Sequence, residues 1–372
     1  MNTALDRQAF TLESIRLDAR RLRLAAPLST AAGNFEYREI ALLQVTIRHR
    51  GRQQRGFGEA SPLPGWTRET VPGIRSAVAR IECPLALNGI NELDHRIPNL
   101  DDSPVLRFGI ESALLDALSR LAGLSLGRAL ANLRNTRPAG SVAVQFTIGA
   151  EPAERCIPAL QAAQAAGYTH AKLKVGVSDP ESDLARVRTI LAACPDLTLR
   201  LDANGAWSIE QARCMLAALP ADRVEMIEQP VADDRLTRLL ARHDGRGPLV
   251  AGDESCADLE RIRTLIRSRT LGAIVVKPSV VGGLLPAGGL FETARRNGIA
   301  VVISNLMESA VGRRAIAHLA TAWPELEGPH GLATGQWFSE DVAPQPDFIE
   351  AARLHPGTAP GIGFEPAWPI NA

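Results

Sequence analysis

The chain has 372 residues, with 41 Lys+Arg against 41 Asp+Glu and a formal net charge of +0; 45% of its residues are hydrophobic and 22% charged. Charge balance excludes a surface built to bind nucleic-acid phosphates or anionic lipid, and the apolar share excludes a disordered chain. No stretch matches the roughly 20 uncharged apolar residues of a membrane span. Met1–Leu24 contains Asp6, Arg7, Glu13 and Asp18 and has no apolar signal core. The five cysteines (Cys83, Cys156, Cys194, Cys214, Cys256) are scattered and form no CxxC pair, the usage of a reducing compartment. These features lead us to expect a cytoplasmic protein that acts on a small molecule, has no nucleic-acid or membrane partner, and is free to form a homo-oligomer.

In chain order, the first third reads as α+β. Ile40–Ile47 alternates as a strand and Gly56-Phe57-Gly58-Glu59-Ala60 suggests a second, followed by the irregular Ser61-Pro62-Leu63-Pro64-Gly65-Trp66-Thr67. Val105–Leu130 carries apolar residues at helical spacing (Ile110, Leu114, Leu115, Leu118, Leu121). From about Ser141 short apolar runs alternate with helical patterns. The runs are Val142–Ile148, His170–Val175, Leu197–Asp202, Arg223–Glu228, Leu249–Asp253, Ala273–Lys277, Ala300–Ile303 and, weakly, Gly331–Phe338. Helix boundaries separate them: Asp179-Pro180 and the capping box Ser208–Gln211 start helices, and Gly298 ends one that begins near Pro286. Seven or eight such units predict a parallel sheet closing as a (β/α) barrel; the rival open doubly wound sheet lacks a GxGxxG after its first strand.

Polar residues end the strands of this second region: Lys172 and Lys174, Asp202 with Asn204, Glu228, Asp253 and Lys277. They follow one another at intervals of one strand–helix unit, so the topology gathers them at the C-terminal ends of neighbouring strands, where barrel active sites lie. Lys172 and Lys174 share one strand face, with Ala171 and Leu173 on the other, so both lysines are expected to point into the barrel. Adjacent ammonium groups disfavour each other's charge, which predicts a lysine pKa lowered toward the range of a base. Asp202, Glu228 and Asp253 are hard oxygen donors with no His or Cys among them, which points to Mg2+, with Mn2+ as a substitute. A divalent cation and a lysine base suit removal of a proton next to a carboxylate, whose enediolate needs the charge stabilisation. Lys277, across the barrel, can act on the opposite face or serve as a cation.

Lys172-Leu173-Lys174, Asp202-Ala203-Asn204-Gly205, Ile227-Glu228-Gln229-Pro230, Gly252-Asp253-Glu254-Ser255 and Val276-Lys277-Pro278 together resemble the enolase superfamily in its muconate-lactonizing subgroup. The resemblance implies an α/β fold, a modified (β/α)7β TIM-like barrel over residues 131–339. An α+β capping domain over residues 1–130, with a C-terminal return over 340–372, would carry capping loops at Ser29–Phe35 and Pro62–Glu69. Within the subgroup, Gly58–Trp66 and Ser304-Asn305-Leu306-Met307-Glu308-Ser309 resemble the o-succinylbenzoate synthases of menaquinone biosynthesis. That implies a lyase in which Lys174 takes the α-proton and then protonates the departing hydroxyl. Lys172 and Lys277 would stabilise the intermediate, and Lys277 would act through its charge on the substrate ring. Asp202, Glu228 and Asp253 would hold the metal, and Ser304, Asn305, Asn204, Pro64 and Gly65 would line the substrate site. Ser304 and Asn305 equally suit a loop that bonds its own backbone, Glu308 a helix cap, and Asn204 a turn with Gly205. Trp66 stands where Phe is frequent in this family. None of the seven histidines ends a strand beside partners. A dipeptide epimerase or N-acylamino acid racemase would use the same lysines, although no Asp-x-Asp follows the last strand. A muconate-type cycloisomerase, or a barrel retired from catalysis, completes the alternatives.

Overall fold

The computed structural model describes residues 8–30, 33–241, 245–268, 271–326, 328–345 and 347–366. Alternating patterns in the first 60 residues build long antiparallel strands. β1 (Phe10–Thr30) pairs with β2 (Gly33–His49), and β2 with β3 (Arg52–Ala60). The Ile40–Ile47 and Gly56–Ala60 patterns lie within β2 and β3, but β1 was not anticipated. Its signal is a period of two, with Leu22 and Leu24 buried and Arg21 and Arg23 exposed between them. α1 (Val71–Val78) follows, capped by the Thr70 hydroxyl, which accepts from the Gly73 N–H at 3.2 Å. β4 (Leu85–Leu87) then completes the sheet in the order β3-β2-β1-β4. Ser29–Thr30 and Gly33–Asn34 pair across the β1–β2 hairpin, so the loop expected over Ser29–Phe35 is a hairpin tip whose Ala31 and Ala32 lie outside the described residues.

After the short α2 (Leu93–Arg96), α3 (Pro104–Leu121) packs against β3 at backbone contact. A Cβ on Gly56 would stand 2.1 Å from the Ala113 carbonyl oxygen and one on Gly58 2.0 Å from that of Gly109, which explains the paired glycines. The helical spacing over Val105–Leu130 is carried by two helices. α3 stops at Leu121, Gly123 turns at φ +67°, and Ser125 caps α4 (Leu126–Leu133).

The second region alternates strand and helix. β5 (Val142–Ala143) and β6 (Phe146–Ile148) are followed by α5 (Ala153–Ala165), β7 (His170–Lys174), α6 (Pro180–Ala193), β8 (Thr198–Asp202) and α7 (Ile209–Ala218). Next come β9 (Val224–Glu228), α8 (Asp233–Leu240), β10 (Leu249–Gly252), α9 (Leu259–Ser268), β11 (Ala273–Val276), α10 (Leu284–Arg296), β12 (Ala300–Ile303) and α11 (Ala310–Thr321). Asp179 and Ser208 cap α6 and α7 as expected, with both arms of the Ser208–Gln211 box formed, and Gly298 adopts φ +71° behind α10. β6 to β12 form one parallel seven-stranded sheet in chain order. Met226, Ala251, Ala273, Val275 and Val302 form a separate buried cluster within it.

Two expected strands differ. Val142–Ile148 splits: β6 joins the parallel sheet, whereas β5 pairs with β14 (Arg353–His355), itself hairpinned to β13 (Phe348–Glu350). The strand expected over Gly331–Phe338 is reduced to isolated bridges, and a 3₁₀ turn occupies Gly335–Trp337. His330 bridges Val144 and Gly331 bridges Ser304, so this short segment links both edges of the parallel sheet. Further along the C-terminal segment, the Asp116 carboxylate in α3 accepts the N–H groups of Ile362 (2.7 Å) and Phe57 (2.9 Å). No helix among the described residues is long and apolar enough to cross a membrane.

His330 and His318 are fully buried, and burial, reinforced by Arg200 and Arg314 respectively, lowers each pKa to about 3. His330 Nδ1 accepts the Ile303 N–H at 3.3 Å, a bond that only the neutral ring can make. Each imidazole takes up its proton only on unfolding, so stability falls as pH drops below the ordinary value of about 6.5, by about 1.4 kcal/mol per pH unit per group. Denaturant titrations between pH 7 and 4 should show this slope reduced in His330→Gln; an unchanged slope would contradict the neutral buried ring.

Candidate active site

β7 sets the first side chains. Ala171 and Leu173 are fully buried, so pleating turns Lys172 and Lys174 to the opposite face. In register, Lys174 lies beside Asp202, the last residue of β8, and Asp202 beside Glu228, the last of β9. Asp253 and Lys277 each lie one residue beyond β10 and β11. Five of the six predicted residues thus occupy the C-terminal ends of consecutive strands, and Lys172 lies two residues inside the first of them.

Their charged atoms meet. Asp202, Glu228 and Asp253 are buried, and each offers a carboxylate oxygen within 4.8 Å of the others. Lys172 Nζ donates to Glu228 Oε2 at 2.5 Å and lies 2.8 Å from Asp202 Oδ2, while Lys277 Nζ donates to Asp253 Oδ1. Lys174 Nζ makes no ion pair among the described residues. Burial, with repulsion from Asp202 and Asp253, pushes the Glu228 carboxyl up to about 7 despite Lys172. Burial also works to raise Asp202, but Lys172 and the Asn204 N–H outweigh it and its pKa is lowered. For Lys172, burial favours the neutral amine, yet Asp202, Glu228 and Asp253 together raise its pKa well above the ordinary lysine value. This corrects the expected depression by a neighbouring ammonium: the carboxylates on the adjoining strands govern Lys172.

The three acids suit a divalent cation. All their donors are oxygen, and Glu228 Oε1 is buried without a hydrogen-bond partner among the described residues. Gln229, which sequence reasoning passed over as part of a motif, holds their geometry. Its Oε1 accepts the N–H groups of Asp253 and Ser255 (both 3.1 Å), and its Nε2 donates to Ser255 Oγ and the Val231 carbonyl (both 2.8 Å). Asn204, at φ +43°, donates its N–H to Asp202 Oδ1 and its Nδ2 to Glu254 Oε1, both at 3.0 Å, so it serves turn and site together.

Other predicted positions lie less directly on the site. Pro64 and Gly65 form the exposed tip of a turn in which the N–H groups of Trp66 and Thr67 both bond the Leu63 carbonyl at 3.0 Å. The residue of that loop that reaches the site is Trp66, whose ring centroid is 3.8 Å from Lys277 Nζ. The aromatic face found against Lys277 is therefore the protein's own. Asn305 Nδ2 donates to Thr334 Oγ1 at 2.8 Å and its Oδ1 accepts the Met307 N–H at 3.1 Å, while Ser304 Oγ lies 3.4 Å from the Gly331 carbonyl. These groups brace the loop after β12.

Comparison with known proteins places this geometry among relatives. The family described as "Enolase C-terminal domain-like" matches residues 157–370. A hydrophobic dipeptide epimerase from Citrifermentans bemidjiense is 28% identical, covering 96% of this chain and 98% of its own. An o-succinylbenzoate synthase from Citrobacter koseri is 30% identical, covering 76% of this chain and 79% of its own. Among solved structures, a dipeptide epimerase from Enterococcus faecalis complexed with Mg and L-Leu-L-Tyr superposes with a TM-score of 0.84 at 24% identity, covering 95% of this chain and 99% of that one. The last likeness speaks for the fold alone.

Replacing Lys172 with Met leaves Glu228 and Asp202 without their common cation. Loss of one partner from a buried charge cluster costs about 3–5 kcal/mol, so denaturant unfolding at neutral pH should give a deficit of that order for Lys172→Met. Wild-type stability in that variant would contradict the placement of Lys172 among the acids.

Proposed function

Because the chain belongs to the enolase superfamily, we propose that it is an o-succinylbenzoate synthase. On this reading it dehydrates 2-succinyl-6-hydroxy-2,4-cyclohexadiene-1-carboxylate to 2-succinylbenzoate in menaquinone biosynthesis. Asp202, Glu228 and Asp253 would hold one Mg2+, for which Mn2+ could substitute. When bound, the ion supplies the positive charge that a substrate carboxylate needs as its neighbouring carbon loses a proton.

The observation that carries the reading is the unequal state of the lysines. Lys277 is ion-paired with Asp253 and seated on Trp66, whereas Lys174 makes no ion pair among the described residues. Lys174 thus stands without a carboxylate partner on one side of the acids, while Lys277 is held between Asp253 and Trp66 on the other. A dehydration can use this asymmetry, since a single group on one face performs both proton transfers. The Lys174 amine takes the proton from the carbon that bears the carboxylate, and the electron pair passes into that carboxylate, to return as a ring double bond when the hydroxyl leaves. As the carbon–oxygen bond breaks, the Lys174 ammonium returns that proton to the hydroxyl, water leaves, and the ring becomes aromatic. Lys172 and Lys277 stabilise the negative charge in transit. Ser304, Asn305, Asn204 and the Pro64–Gly65 turn would border the substrate.

Epimerisation of a dipeptide is the second reading, supported by the epimerase relative that matches across almost its full length. It requires Lys277, whose Nζ stands against the Trp66 ring, to exchange protons from the far face.

Purified protein with Mg2+ should form 2-succinylbenzoate, and a parallel screen of dipeptides should show slower epimerisation or none. Lys174→Ala should lower the rate about 100- to 10,000-fold, the range for loss of a positioned base, while the fold persists. EDTA should abolish turnover and Mg2+ restore it. Dipeptide epimerisation without elimination, or undiminished turnover in Lys174→Ala, would overturn the assignment.

A further inference from the structure

Arg38, in β2, is a charged residue with 2% exposure whose guanidinium forms no ion pair with a carboxylate among the described residues. Its Nη donors go to backbone carbonyls, three of them on two separate loops and one, Glu39, within β2. Nη2 donates to Ser61 (2.6 Å) and Leu306 (3.1 Å), and Nη1 to Pro62 (2.5 Å) and Glu39 (3.1 Å). Ser61 and Pro62 lead into the Leu63–Thr67 turn that carries Trp66, and Leu306 belongs to the loop after β12. One buried side chain therefore joins the N-terminal sheet's loop to a loop at the mouth of the parallel sheet.

Two fully buried acids supply the opposing charge and extend the knot. Glu59 accepts the Ser309 N–H (2.8 Å), the Ser309 hydroxyl (2.5 Å), the Gly312 N–H (3.0 Å) and the Ser61 hydroxyl. Glu308 accepts the Leu306 N–H and the Ser279 hydroxyl, both at 2.6 Å, and Ser279 lies two residues past Lys277. Leu63, Val280 and Leu306 form a small apolar cluster against which Trp66 packs. Of the Trp66 seat, Leu306 is bonded by Arg38 directly, Leu63 follows the bonded Pro62, and Val280 follows Ser279, which Glu308 ties to Leu306.

We propose that Arg38 is a positioning residue: by fixing the Ser61–Pro62 and Leu306 carbonyls it holds Trp66 against Lys277 Nζ and so sets the aromatic wall of the active site. This rests on the reading of Lys277 given above as the charge that stabilises the intermediate. Arg38 touches no reacting atom, and its influence passes through Trp66. Lysine at position 38 keeps the charge but lacks the planar fork that reaches several carbonyls, so Arg38→Lys loosens the seat.

The test uses the full-length protein and the substitutions Arg38→Met, Arg38→Lys, Trp66→Phe and Trp66→Leu. Emission of Trp66, taken as wild type minus Trp66→Phe and measured without substrate, should shift to the red and become more accessible to acrylamide in either Arg38 background; an unmoved spectrum would overturn the link. For 2-succinylbenzoate formation, Arg38→Met and Trp66→Leu should each lower kcat by up to about 100-fold with smaller changes in KM, as expected for a misplaced catalytic group. The double substitution should be no worse than the more damaging single one; effects that multiply would overturn the proposal. Should Arg38→Met not fold, Arg38→Lys decides by the same two readouts with smaller shifts. If the wild type does not form 2-succinylbenzoate, the functional reading fails, and the Trp66 spectrum still decides whether Arg38 seats the ring.

Discussion

Three carboxylates buried within 4.8 Å of one another are the constraint to which the rest of this molecule answers. Asp202, Glu228 and Asp253 repel, and burial removes the water that would screen them. The protein meets that cost with ammonium groups from both sides, Lys172 on Asp202 and Glu228 and Lys277 on Asp253. The upward displacement of Glu228 to about 7 records first its burial and then the repulsion from Asp202 and Asp253 that these partners leave in place. A divalent cation is the species that such a set of hard donors accommodates best.

The fold supplies the precision. Apart from Lys172, which lies two residues inside β7, each acid and lysine stands at or one residue past the end of its strand, where the parallel sheet fixes the backbone and the following loop gives the side chain room. Gln229 ties the end of β9 to the Asp253–Ser255 turn, so two of the three acids move as one piece. From the other side, the N-terminal sheet brings Trp66 to Lys277 through a loop gripped by Arg38. Chemistry at the strand ends and shape from the sheet above them come from distant parts of the sequence and join in one buried polar knot.

Much of this was legible beforehand because it is periodic. Alternation in β7 put Lys172 and Lys174 on one face, and the regular spacing of acids placed them on successive strands. What escaped is set by tertiary contact. β1 hides a period of two beneath many arginines, and β5 looks continuous with β6 although it pairs with β14. The closing segment at His330–Gly331 is held by single bridges with no strand pattern to read. Nothing local distinguishes Arg38 from the exposed arginines around it, and the rise in the Lys172 pKa follows from carboxylates on other strands rather than from its neighbour Lys174.

The account stands or falls on whether the three acids act as one cation site, and titration with Mn2+ followed by electron paramagnetic resonance asks this directly. One ion should bind per chain. Loss of an outer hydrogen-bonding partner alone costs about 10- to 100-fold in metal affinity, so removing any one ligand by Asp202→Asn, Glu228→Gln or Asp253→Asn should weaken binding by about 100-fold or more. Wild-type affinity in any of the three would contradict the shared site.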